Sequence, residues 1–563
     1  MLNCANYVQK LVNCGAHQMS DHSASNPTEF RIAVFGDFTG RAARGVMETG
    51  QSLRARRPIG LDIDTVEDVI ESFATKLSLS IGKDGVAIDV RLNGLDDLHP
   101  EQLYDNVELF SALSSVRQSL SVGSMADEAR AKLKVWSETF GTTVRLPTRS
   151  SSNSVPANMK LTDFQALIGY TSELTKSETP IDDIIARIVG PHIVKAPDAQ
   201  APEMEAAVDD ALSSAMRLIL HHPDFQSLEA QWRSLDFLAR RIETDGNLEV
   251  VLYDVSAEEL AFDIAAADDL SESGIFGLLS DAQKNLAGKS GYSALIGLYT
   301  FEETPPHADL LSRIAQIAAH VDAPFFAAMS PDYLDIPKEK RHPLVTKAWD
   351  ALRVMPEANY IGLLAPQFML RLPYGAKSDP IASFKFEEFT EQVGLSGILW
   401  ANPAVLVAIL LAETYHKNTK VMDLGSVMSI GDIPYHYLTD RNGDQVAMPC
   451  TKRNLTSASL HETLSRGFMP VEWVKGRNEI RLATFVALGG NLIEGPWTAQ
   501  VHSNRVRPVP NLSFTFPVNA DDNVGGLDND AALTELLAVF EDEGKVADPR
   551  LIDAELATLL KGL

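Results

Sequence analysis

The chain has 563 residues, 76 acidic against 49 basic side chains, a formal charge of −27 and 45% hydrophobic residues. That length makes room for roughly four domains of about 150 residues, the apolar share suffices for buried cores, and the negative charge opposes contact with nucleic-acid phosphates. Three cysteines, Cys4, Cys14 and Cys450, suit neither a disulfide framework nor a tetrahedral zinc site and fit a reducing, cytoplasmic compartment.

Residues 1–28 end in the polar run Asp21 to Pro27, the composition of a flexible lead. Arg31-Ile32-Ala33-Val34-Phe35, stopped by Gly36, predicts a strand. Val66, Val69, Ile70, Phe73 and Leu77 recur at helical spacing behind Asp64 or Thr65 as cap. Val86, Ile88, Val90 and Leu92 alternate with polar neighbours as in a half-buried strand. Pro100 suits the first turn of another helix, continued by Val107, Phe110, Leu113 and Val116. Residues 29–147 thus read strand, helix, strand, helix, a compact α/β unit.

Residues 148–202 read as a linker. Thr148 to Ala157 is rich in serine, and Ala196 to Pro202 in alanine and proline. Between them Ile181, Ile184, Ile185 and Ile188 form one apolar stripe on a short helix closed by Gly190-Pro191. That helix either docks on its own domain or is offered to a groove on another protein.

Residues 203–507 alternate strands and helices. One helix leads to His221-His222-Pro223, and the next carries Leu228, Trp232, Leu235, Leu238 and Ile242 on one side. Leu248 to Val255 predicts a strand, and Ser256 with Glu259 a capping box opening the following helix. Ala294 to Tyr299, Pro324 to Met329 and Tyr360 to Leu364 predict buried strands, with a helix over Ala308 to Ala319. The pattern is that of an α/β (α+β) fold with mixed sheets covered by helices. The longest apolar stretch, Val405 to Ala412, falls far short of the roughly 20 residues that span a membrane, and no basic region with an apolar run opens the chain. Residues 508–563 form an acidic segment with a helical pattern through Leu551, Leu556, Leu559 and Leu560.

The short motifs carry little chemistry. Gly288-Lys289-Ser290 has Gln283 where a phosphate loop needs its first glycine. Gly36-Asp37-Phe38-Thr39-Gly40 lacks the third glycine of a dinucleotide fingerprint. His221 and His222 point about 100° apart on a helix, which suits a helix break with local hydrogen bonds better than a shared metal. Asp96, Asp97 and His99 read as caps for the helix after Pro100. No Gly-x-Ser-x-Gly elbow occurs. No catalytic, cofactor or metal constellation is expected.

Larger blocks say more. Gly36-Asp37-Phe38-Thr39-Gly40-Arg41, Arg57-Pro58-Ile59 and Leu95-Asp96-Asp97-Leu98-His99-Pro100 resemble the small sheath subunit (TssB/VipA/ImpB-like) of the type VI secretion contractile tail. Leu218 to Gln226 with Trp232-Arg233, Asp254-Val255-Ser256 with Glu259-Leu260, and Leu370-Arg371-Leu372-Pro373-Tyr374-Gly375 followed by Phe384 to Glu388 resemble the large one (TssC/VipB/ImpC-like). The resemblance implies a fused structural subunit of sheath-type two-part architecture, not an enzyme. It polymerises with copies of itself or separate sheath subunits, around an inner-tube protein and on a baseplate, and drives effector delivery. In the large subunit a helix near the start is seized by an AAA+ disassembly ATPase, and Ile181, Ile184, Ile185 and Ile188 match it in position and pattern. Beyond Gly490 the family's large subunit continues into segments that interlock neighbours and face the tube. Pro508 to Phe516 and the acidic tail do not resemble these, which leaves open a non-polymerising adaptor or cap for a sheath end or baseplate.

Overall fold

The computed structural model describes residues 29–81, 87–111, 114, 201–285, 291–390, 393–418, 422–439 and 445–501. The lead, the serine-rich linker, the isoleucine helix, the Gly288 loop and the acidic tail lie outside them.

Phe30–Gly36 form β1, and all seven residues are buried. A strand covered on both faces reads as an unbroken apolar run, which is why this one shows no alternation. Its one charge, Arg31, reaches Glu249 at 2.6 Å and lies 4.8 Å over the Tyr292 ring. Then come α1 (Gln51–Arg54), β2 (Ile59–Leu61) and α2 (Val66–Phe73). Helix α2 stops at Phe73 because Ala74 turns into the left-handed region at φ 44°. Leu77, expected on that helix, lies instead on β3 (Thr75–Ser80), which pairs antiparallel with β4 (Ala87–Leu92). Thr75, Leu77 and Leu79 are buried while Lys76, Ser78 and Ser80 are exposed, a period of two that matches the helical spacing from Val66 at one position only. Pro100 opens α3 (Pro100–Asn106), and the His99 imidazole caps it by accepting from the Glu101 N–H at 3.1 Å.

The rear block begins with α4 (Ala201–Leu220), which starts inside the spacer expected to reach Pro202; a proline in the first turn removes no helical hydrogen bond. Helix α5 (Pro223–Ala239) follows a break at His221-His222, where the His222 imidazole accepts from the Asp224 N–H at 3.3 Å. Next are β5 (Leu248–Asp254), α6 (Ala257–Ala266), α7 (Gly274–Asn285), β6 (Ala294–Phe301), α8 (Pro305–His320), β7 (Phe325–Met329), α9 (Pro343–Arg353) and β8 (Ile361–Ala365). After these come β9 (Phe368–Met369), β10 (Trp400–Ala401), α10 (Ala404–Lys417), β11 (Ser429–Ile430), β12 (Tyr437–Thr439), β13 (Gln445–Ala447), α11 (Ser457–Ser465), β14 (Met469–Trp473) and β15 (Ile480–Leu482).

Nine strands make one sheet in the order β11-β15-β14-β8-β7-β6-β1-β5-β2. The neighbours from β14 to β5 are parallel, and the pairs at the two margins are antiparallel. Strand β1 sits in the middle of strands from the rear block, with Phe30 to Gly36 in register with Leu248 to Asp254 on one side and Ile32 opposite Ala294 on the other. The front block therefore does not close a sheet of its own around β1. Alternate residues of that strand feed the two faces: Ile32 and Val34 join Trp232 and Leu406 on one, Ala33 and Phe35 join Tyr253 and Leu311 on the other. Each of the valine, isoleucine, leucine and phenylalanine side chains among them contributes roughly 1.5–3 kcal/mol on burial. Helix α10, apolar all round, is buried from Ala404 to Ala412, as expected of a helix covered on every side.

Candidate functional site

Two of the family-like motifs of the front block meet motifs of the rear block, at two charged clusters. The first lies where β1 ends beside β5. Gly36 is opposite Asp254 in the parallel pair, and a Cβ on Gly36 would lie 2.4 Å from Gln231 Oε1 and 2.9 Å from the Phe38 ring, so glycine alone lets the chain turn there. The turn is then gripped by the rear block. Asp254 accepts from the Phe38 N–H at 2.8 Å, the Thr39 N–H at 3.2 Å and the Thr39 hydroxyl at 2.8 Å. Trp232 Nε1 donates to the Phe38 carbonyl at 3.0 Å and Gln231 Nε2 to the Asp37 carbonyl at 3.1 Å.

Glu259 sits at the centre. It closes the expected capping box with Ser256 and takes two guanidiniums from the front block, Arg41 Nε at 3.0 Å and Arg56 Nη2 at 2.6 Å. Arg56 also donates to the Asp254 carbonyl at 2.6 Å, and Glu48 closes the outside, 2.7 Å from Arg41 and 3.0 Å from Arg56. Burial works to raise Glu259, but the hydrogen bonds from Arg56 and Arg41 outweigh it and hold the carboxyl low. Asp37 has no such partner. Burial first, and the Asp254 charge second, push it up to about 7 against the N–H groups of Ala42 and Arg41 that it accepts from.

The second cluster lies under α3. Arg371 forks both ways, to Glu229 at 2.7 and 3.1 Å and to Glu388 at 2.6 and 2.9 Å. Arg233 adds a bond to Glu229 at 2.7 Å and one to the Tyr374 hydroxyl at 2.7 Å, while the Tyr374 N–H donates to Glu388 at 2.8 Å. Burial works to raise Glu229, yet Arg371 and Arg233 together hold it below the usual range. Burial pushes the Tyr374 hydroxyl up to about 12. Onto this platform the front block sets His99, edge-on to the Tyr374 ring at 5.0 Å, and Tyr104, 5.4 Å from the Phe384 ring. Glu101 accepts from the Ala382 N–H at 2.8 Å and from the Ser383 hydroxyl.

Asp37, Thr39, Arg41, His99, Trp232, Asp254, Glu259, Arg371, Tyr374 and Glu388 all come from the motifs singled out in the sequence, and the structure gathers them along one seam. Arg57 of the Arg-Pro-Ile motif is exposed, and its neighbour Arg56 makes the contact. The signal for Arg56 was indirect: a capping-box glutamate destined for burial requires cations. The stripe Ile181, Ile184, Ile185 and Ile188 lies outside the described residues.

Comparison with known proteins agrees with this pairing of motifs. Residues 203–487 match the VipB family model, described as EvpB/VC_A0108, tail sheath N-terminal domain. Residues 17–134 match the model described as Type VI secretion system, VipA, VC_A0107 or Hcp2. A 283-residue stretch, 47% of this chain, is 33% identical to the type VI secretion system sheath protein TssC1 of Pseudomonas aeruginosa and covers 57% of that protein. The chain belongs to the type VI secretion tail-sheath family, with the small-subunit and large-subunit domains joined in one polypeptide.

Proposed function

We propose that the chain is a structural subunit of a type VI secretion contractile sheath, a fused small-and-large pair that polymerises around an inner tube in the cytoplasm and drives effector delivery, and that it does no chemistry of its own. The observation that carries this reading is the seam. The two sheath-family halves share one sheet through β1 and bury charge between their signature motifs, so the fused chain behaves as a preformed pair with its own partners already satisfied.

Polymer contacts then fall on other faces, in the open head-to-tail symmetry that builds filaments. The partners under this reading are further copies or separate sheath subunits, the inner-tube protein and the baseplate. An AAA+ disassembly ATPase would take the helix carrying Ile181, Ile184, Ile185 and Ile188, presented between the small-subunit segment at 29–147 and the large-subunit segment at 203–507. Electron microscopy of the purified chain, with and without an inner-tube protein, tests the assignment. Long tubes are the expected result; discrete particles under both conditions would favour the non-polymerising adaptor or cap.

A further inference from the structure

Helix α5 carries a buried apolar stripe and a largely buried stripe of small residues. One is the apolar face of Leu228, Trp232 and Leu235; on the opposite side, Ser227, Ala230 and Ser234 follow one another at helical spacing. That second stripe faces a cavity of about 330 Å³, lined elsewhere by Leu298, Ile398 and Leu399 and by the polar residues Gln367 and Lys452. Ser227 is 7% exposed and Ser234 1% exposed, and among the described residues neither hydroxyl has a hydrogen-bond partner, nor does Gln367 Oε1. Buried polar atoms are nearly always paired in folded proteins, because leaving them dry forfeits their bonds to water.

Asn402 and Gln226, also in the wall, are engaged elsewhere. The Asn402 amide is committed at both ends, to the Tyr299 carbonyl at 2.9 Å and the Ala404 N–H at 3.0 Å. Gln226 donates to the Ser396 carbonyl at 2.9 Å. Among the described residues the Lys452 ammonium forms no ion pair with a carboxylate. Burial pushes its pKa down, with the Asp332 charge pulling the other way.

We propose that this cavity is a receptor for one carboxylate carried on a short apolar stem, bound by the Lys452 ammonium together with the Ser227 and Ser234 hydroxyls. Three donor-bearing residues line one cavity, and one lysine matches a carboxylate where a dianionic phosphate calls for arginine forks or several cations. The volume lies in the range of small-ligand sites, and the leucine and isoleucine wall suits two or three methylenes. Two sources carry this chemistry: a free small carboxylate, or a glutamate side chain of a second copy, which the acidic excess of the chain supplies in abundance. Only the second source rests on the polymer reading.

Calorimetric titration of the full-length chain with butyrate tests the site. Saturable binding is expected, weakened at least about tenfold in Lys452→Met and in the double variant Ser227→Ala/Ser234→Ala, with butylammonium giving no heat. The serine variants only remove unpaired hydroxyls, so they keep the test valid should Lys452→Met unfold. The site is refuted by an absence of saturable binding, by equal binding of butylammonium, or by affinity unchanged in both variants. Microscopy of the same proteins separates the sources. Assembly inhibited by butyrate and by Lys452→Met points to a neighbouring copy; normal assembly alongside butyrate binding points to a free carboxylate. A wild-type chain that never assembles overturns the sheath reading and leaves the titration to decide the site on its own.

Discussion

Around Glu259, four carboxylates (Asp37, Glu48, Asp254 and Glu259) gather beside two guanidiniums, Arg41 and Arg56, which reach all of them but Asp37. Around Arg371, two carboxylates, Glu229 and Glu388, share two, Arg371 and Arg233. The balanced cluster lets every charge keep a partner, and Glu229 stays below its usual range although fully buried. In the other cluster burial first, and the Asp254 charge second, push up Asp37, the carboxyl that meets only backbone N–H groups. The joint at β1 thus carries a carboxyl pushed up to about 7, whereas the rear-block platform on which α3 rests carries one held low.

The largest effect is expected at the balanced cluster. Arg371→Met leaves Glu229 and Glu388 facing each other in the interior with Arg233 as the remaining cation, and removing one member of a buried ion network costs about 3–5 kcal/mol. Urea unfolding followed by tryptophan fluorescence measures it. Arg371→Lys should recover little, since an ammonium cannot fork to two carboxylates at once. A loss below about 1 kcal/mol would show that the cluster does not hold the rear-block platform under α3 together.

Glu259→Ala comes next. It removes a helix cap and the shared partner of Arg41 and Arg56, but Glu48 remains beside both guanidiniums and water reaches them, so the expected loss is about 2–3 kcal/mol. Similar losses for Glu259→Ala and Arg371→Met would erase the distinction between the two clusters.

The pH profile sharpens the same comparison. Asp37 has a folded pKa of about 7 against an ordinary 3.8, so the folded state holds a proton that the unfolded chain releases in between. Its contribution to stability is fully present below about pH 4 and is lost as the pH rises through 7. Glu259 has the opposite sign: its carboxyl is held low, so its contribution is present above the usual glutamate range and fades as the pH falls through and below it. Asp37→Asn should flatten the decline of stability between pH 5 and 8 by on the order of a few kcal/mol across the window. The slope is the quantity to read, because the amide also places a donor against the Arg41 or Ala42 N–H and lowers stability at every pH. A slope unchanged from wild type would mean that Asp37 ionises normally.

Legibility in the sequence followed the range of the interaction. The Ser256–Glu259 box, the proline starts of α3 and α5 and the His99 and His222 caps are set by residues within three positions of one another, and all stand as read. The position of β1 was hidden, since a strand buried on both faces looks the same in its own sheet as in another block's. Leu77 was misassigned because it satisfies both periods, and the left-handed Ala74 that separates them has no turn signature. The motifs of the seam were legible as family likeness, but their mutual contacts, more than 190 residues apart in sequence at Arg56–Glu259 and beyond 280 at Glu101–Ser383, were not.

The smallest effect belongs to a charge pair outside the seam, which calibrates the others. Lys76 and Asp89 face each other across β3 and β4 at 2.6 Å, with their side chains 52% and 48% exposed. Distance alone makes this contact as close as the Arg56–Glu259 bond. Solvent screens it, and holding two mobile side chains together offsets much of the attraction, so Lys76→Ala should change stability by no more than about 0.5–1 kcal/mol, an effect that shrinks further in high salt. If Lys76→Ala instead matched Glu259→Ala, burial would not be what separates the seam contacts from surface pairs of equal length, and the comparison between the two clusters would lose its physical basis.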